Sequence, residues 1–154
     1  MSQDKNQFYR ELQQQLSGLL ADEKDLIANL ANASALLYHQ LADINWVGFY
    51  LLKDGELVLG PFQGKPACVR IPLGKGVCGT AVAQGQTILV ENVHEFEGHI
   101  ACDIASNSEI VIPLKVNNTL LGVLDIDSPV YSRFGTQDQH GLEAIVHIIA
   151  ASVS

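Results

Sequence analysis

At 154 residues with 47% hydrophobic side chains, the chain suits one domain with a substantial core and is short for two. A formal charge of −8 excludes the phosphate-backbone binding that clustered Lys and Arg support, so nucleic acid is not an expected partner. The opening MSQDKNQFYRELQQQ lacks a signal-peptide apolar core, and no apolar run reaches the roughly eighteen residues of a membrane span; a cytoplasmic protein without membrane contact is expected.

In chain order, Phe8, Leu12, Leu16 and Leu19 recur at helical spacing, and Leu26, Leu30, Leu37 and Leu41 mark a second amphipathic helix. From Asn45 the pattern becomes strand: NWVGFYLL, the turn pair Asp54-Gly55 and LVLG read as a hairpin. ACVRI follows as a strand, then LGKGVCGTAVAQG as a tight turn into a short helix, then the strand TILVEN. EIVIPLKV and LLGVLDID are strands separated by Asn117-Asn118, whose turn chemistry predicts antiparallel pairing. Thr136 with Gln139 predicts a capping box for a last helix carrying the stripe Leu142, Ile145, Val146 and Ile149. No repeat or linker divides residues 1–154, so one α+β domain is expected, with a central, mostly antiparallel sheet and helices covering one face.

Strand parity gathers the candidate site. Trp46, Gly48 and Tyr50 share one face, two rings flanking a glycine, which leaves a shallow slot for a small ligand unless both rings are core. Asp125 and Asp127 likewise share a face, roughly 6–7 Å apart and able to receive one ammonium between them. If the Asn117-Asn118 hairpin closes, Glu109 joins them, and three crowded acids either bind a cation or keep a proton. Cys102, seven residues before Glu109 in an irregular segment of small residues, can reach the same cleft.

The three cysteines are an odd number and do not describe a permanent disulfide framework; core packing, metal ligation and redox chemistry all remain open to them. Cys68 falls in ACVRI and Cys78 in the glycine-rich stretch, and either suits a buried thiol. Gly74, Gly76 and Gly79 match the G-x-G-x-x-G spacing, but the βαβ frame that a dinucleotide site needs is missing. His94, His99 and Cys102 fit no zinc spacing, so neither metal nor cofactor is expected.

NWVGFYLL, LGPFQGKPACVRIPLGKGVCGTA, the segment bearing Cys102, and GVLDIDSP followed by RF and a capped helix together resemble the free methionine-(R)-sulfoxide reductases, a catalytic branch of the GAF-domain family. The resemblance covers nearly the whole chain. It implies a six-stranded antiparallel sheet flanked by helices, and reduction of free L-methionine (R)-sulfoxide with thioredoxin as reductant. The family's motif cysteines fall on Cys68, Cys78 and Cys102, and its substrate-pocket positions on Trp46, Tyr50, Glu109, Asp125 and Asp127. In that chemistry the Cys102 thiolate attacks the sulfoxide sulfur and becomes a sulfenic acid, which a second thiol resolves as a disulfide; Cys68 is the expected partner and Cys78, a secondary thiol, the alternative. A homodimer is compatible with the family, although no sequence patch demands one. A non-catalytic GAF module that senses a small molecule is the alternative.

Overall fold

The computed structural model describes residues 2–99 and 105–154. Helix α1 (Ser2–Leu20) buries Tyr9, Leu12, Leu16 and Leu20, whose three- and four-residue steps form one stripe. Leu19 lies beside that stripe and stays 46% exposed, so the expected fourth position shifts to Leu20. Helix α2 (Leu26–Gln40) starts at Asp25, whose carboxylate accepts from the Ala28 amide at 2.9 Å, and buries Leu30, Ala33 and Leu37.

The strands are β1 (Trp46–Lys53), β2 (Glu56–Gly64), β3 (Arg70–Pro72), β4 (Ile88–Val90), β5 (Ser108–Val116) and β6 (Thr119–Ser128). They form one sheet in the order β3-β2-β1-β6-β5-β4, and every pairing among the described residues is antiparallel. Both predicted hairpins form. Asp54 and Gly55 take φ of 52° and 82°, Asn117 and Asn118 take 52° and 66°, the left-handed conformations that two-residue turns need. The expected strand ACVRI shrinks to Arg70–Pro72, which leaves Cys68 in the link from β2. Pro66 has no N–H for a ladder, and the Cys68 carbonyl accepts instead from the Tyr50 hydroxyl at 2.8 Å.

Helices α1, α2 and α4 (Thr136–Ser152) cover one face, packing on Val47, Phe49, Leu51, Ile110, Ile112 and Ile126. The other face is covered as well, by α3 (Gly76–Gln84), whose Val77, Ala81 and Val82 pack with Tyr50, Val111 and Val123. The central strands are therefore buried on both sides. Glycine at position 79 lets α3 approach: a Cβ there would stand 2.5 Å from the Pro72 carbonyl oxygen, so the G-x-G-x-x-G spacing serves close packing. Among the described residues no helix is long and apolar enough to cross a membrane.

The last helix begins one residue earlier than the sequence suggests. Its N-cap is Gly135, whose amide donates to Asp138 Oδ2 at 2.9 Å, while Gln139 donates to Glu143 instead of closing a box with Thr136. Long-range partners decide this. Asp138 also accepts from Tyr9 Oη at 2.7 Å and from Arg133 at 3.3 Å and pairs with Lys5 at 2.5 Å, so one buried carboxylate pins α1 to the start of α4.

Candidate functional site

On the α3 side of the sheet, alternation that elsewhere supplies Val111 and Val123 places Glu109, Asp125 and Asp127 at one end. The register makes them neighbours: Glu109 stands opposite Asp127, which stands opposite Trp46, and Asp125 faces Gly48. They line a cavity of about 40 Å³ with Trp46 and Tyr50, so the five sequence-predicted pocket residues come together.

Trp46 and Tyr50 are buried and stack with ring centroids 5.9 Å apart, while Phe62 of β2 also stacks on Trp46 at 5.3 Å. The expected open slot above Gly48 is thereby filled: a Cβ there would strike Phe62 and come within 2.8 Å of Trp46 Cη2. The rings are wall and core at once. Trp46 Nε1 donates to the Lys65 carbonyl at 3.1 Å, so both aromatics also hold the link that carries Cys68.

Five ionisable groups of one sign, Tyr50, Cys78, Glu109, Asp125 and Asp127, crowd this cavity. Burial, then Asp125 and Asp127 beside it, pushes Glu109 well above the ordinary carboxylate range. Burial raises Asp125 too, moderated by Glu109 and Cys78, which sit close enough to donate to it when protonated. Burial followed by the charges of Asp125, Glu109 and Asp127 raises the Cys78 thiol well above its usual value, and burial followed by Asp125 raises Tyr50. No Lys or Arg lines the cavity among the described residues, and His99, lowered by burial and then by His94, is neutral at pH 7.

Sequence reasoning missed Pro66, Ala67, Val77 and Ser106 in the lining and read His99 only as a rejected metal ligand. These arrive from connections and from the first turn of α3, where Lys75 provides no side-chain cap. Cys78 is a free, buried thiol on that turn, whereas Cys68 is disulfide-bonded. Cys102 lies outside the described residues. The segments flanking it are anchored at the cavity: the Gly76 amide donates to the Gly98 carbonyl at 3.1 Å, Asn45 donates to Ser106 at 3.2 Å, and His99 and Ser106 both line the wall.

A raised carboxyl pKa carries a stability consequence. Below about pH 4.3, the unfolded value, Glu109 is protonated in both states and costs nothing; as pH rises toward its elevated folded value, only the unfolded chain gains by ionising. Stability is lost across that window. Glu109→Gln should therefore raise unfolding stability at pH 7 by about 0.5–2 kcal/mol, with the gain fading below pH 4, as measured by urea denaturation at both pH values.

A family model described as GAF domain matches residues 25–153. The chain is 61% identical over 143 residues to the free methionine-R-sulfoxide reductase of Escherichia coli strain K12, covering 93% of this chain and 87% of that protein. The structure of fRMsr of Staphylococcus aureus in complex with substrate superposes with a TM-score of 0.92 at 55% identity, with 95% of each chain covered. The free methionine-R-sulfoxide reductase from Neisseria meningitidis in complex with its substrate gives a TM-score of 0.93 at 44% identity over 97% of this chain and 90% of that one.

Proposed function

Because the chain belongs to the GAF-domain family and to its free methionine-R-sulfoxide reductase branch, we propose that it reduces the (R)-sulfoxide of free L-methionine to L-methionine. The observation that carries this reading is a small cavity where buried acids meet two stacked rings and no Lys or Arg among the described residues. Such a cavity selects an ammonium attached to a compact apolar group. Asp125 and Asp127 take the ammonium, and Trp46 and Tyr50 pack the methyl and thioether. The uncapped first turn of α3 offers the Val77 and Cys78 amides to the substrate carboxylate.

Cys102 is the proposed nucleophile. It is the third residue after His99 and the fourth before Ser106 in the sequence, and both of those residues line the cavity. The thiolate attacks the sulfoxide sulfur while Glu109, held protonated by burial and neighbouring acids, gives its proton to the sulfoxide oxygen. The hydroxyl then passes from the methionine sulfur to the Cys102 sulfur as the transient sulfur–sulfur bond breaks, which releases methionine and leaves Cys102 as a sulfenic acid. The Cys68 thiol then condenses with that sulfur, forming the Cys68–Cys102 disulfide while its proton leaves with the hydroxyl as water; thioredoxin reduces the disulfide by exchange. A disulfide-bonded Cys68 beside a free Cys78 supports this division of labour. Dependence on thioredoxin fits a cytoplasmic location.

The test is a single turnover. Fully reduced protein, incubated without oxygen with one equivalent of L-methionine (R)-sulfoxide, should yield about one methionine per chain and a Cys68–Cys102 disulfide on peptide mapping. Sulfoxide recovered intact would overturn the reductase reading, and a disulfide through Cys78 would overturn the assignment of Cys68.

A further inference from the structure

The cavity holds one group that sulfoxide reduction leaves idle, the Cys78 thiol. We propose that Cys78, Glu109 and Asp125 form a binding site for one zinc-class divalent cation, which occupies the cavity in place of an ammonium. Their donor atoms come from α3, β5 and β6 and all lie within 4.8 Å of one another. All three side chains are buried, at 3%, 6% and 5% exposure. A tetrahedral zinc ion sets sulfur and oxygen ligands about 3.3–3.6 Å apart, so small side-chain rotations bring the three around it.

An independent observation points to a cation here. Asp125 Oδ1 is buried in this cluster and has no hydrogen-bond partner, a state that costs a carboxylate oxygen heavily unless positive charge arrives. The sulfur decides which kind. An ammonium gains little from a thiol, whereas a thiolate binds Zn²⁺, Cd²⁺ or Co²⁺ strongly, and the dication offsets most of the charge of two carboxylates and a thiolate. Mg²⁺ and Ca²⁺ require six or more oxygen donors, which this small cavity does not supply. Three protein ligands leave a fourth position open toward the cavity, where a water or a small anion completes the tetrahedron.

Metal binding at this site is independent of the reductase reading; inhibition of turnover by zinc would rest on both. The test is therefore spectroscopic. The full chain carrying Cys68→Ser and Cys102→Ser, stripped of metal and kept reduced, retains Cys78 as its one sulfur-bearing cysteine and is titrated with Co²⁺. The expected result is a thiolate-to-cobalt charge-transfer band that saturates at one ion per chain and is displaced by Zn²⁺. Adding Cys78→Ser should abolish the band, and Asp125→Asn should weaken Co²⁺ binding at least about tenfold, with circular dichroism confirming the fold of each variant. Absence of the band in the parent, its survival without Cys78, or undiminished affinity in folded Asp125→Asn would each overturn the site.

Discussion

Cys102→Ser should abolish methionine production, lowering turnover of L-methionine (R)-sulfoxide by at least about a thousandfold while affinity for the sulfoxide changes by no more than about threefold. The separation follows from where the work is done. Binding is assigned to Asp125, Asp127, Trp46, Tyr50 and the α3 amides, none of which the substitution touches. Bond making is assigned to one sulfur, and a serine hydroxyl is too weakly nucleophilic, and too poor an oxygen acceptor, to replace it. Cys68→Ser should behave differently: one methionine per chain is released, then turnover with thioredoxin stops because the sulfenic acid has no resolving thiol. Equilibrium binding and steady-state methionine formation separate these cases. A Cys102→Ser protein that still turns over would remove Cys102 from the chemistry, and a native chain that binds the sulfoxide unchanged would support the sensor alternative.

The residues legible in the sequence are those whose positions depend on local period. Trp46 and Tyr50, and likewise Asp125 and Asp127, share faces because successive strand residues alternate, and Asn117-Asn118 closes the hairpin that brings Glu109 opposite Asp127. What escaped depends on partners distant in sequence. The space above Gly48 is filled by Phe62, placed there by the β1–β2 register, which a view of β1 alone does not contain. The cap of α4 goes to Asp138 because Lys5, Tyr9 and Arg133 converge on it, outweighing a local Thr136–Gln139 box. Cys68 leaves its expected strand because Tyr50 captures its carbonyl. Ala67, Val77 and Ser106 carry no periodic signal, since connections and a helix end deliver them to the wall. The acids break an apolar row in a buried sheet face, which is the local inconsistency that functional sites display.

N-acetyl-L-methionine (R)-sulfoxide should be reduced with kcat/KM about 10³–10⁵ below that of the free amino acid. Acetylation replaces a charged ammonium with a neutral amide that carries one hydrogen. Asp125, already short of a donor at Oδ1, would then face an uncharged group inside a cavity without Lys or Arg among the described residues. Leaving a buried carboxylate uncompensated costs several kcal/mol, and about 5.5 kcal/mol corresponds to ten-thousandfold. Volume offers a competing explanation, because the added acyl group must fit a cavity of about 40 Å³. Asp125→Asn distinguishes the two: if charge discriminates, the variant loses kcat/KM for the free amino acid far more than for the acetylated one, so the gap narrows at least about tenfold. If volume discriminates, both fall together and the ratio persists. Comparable rates on both substrates in the native chain would remove the ammonium from the recognition scheme, and with it the reason for gathering three acids, two of them buried, where the sheet would otherwise place valines.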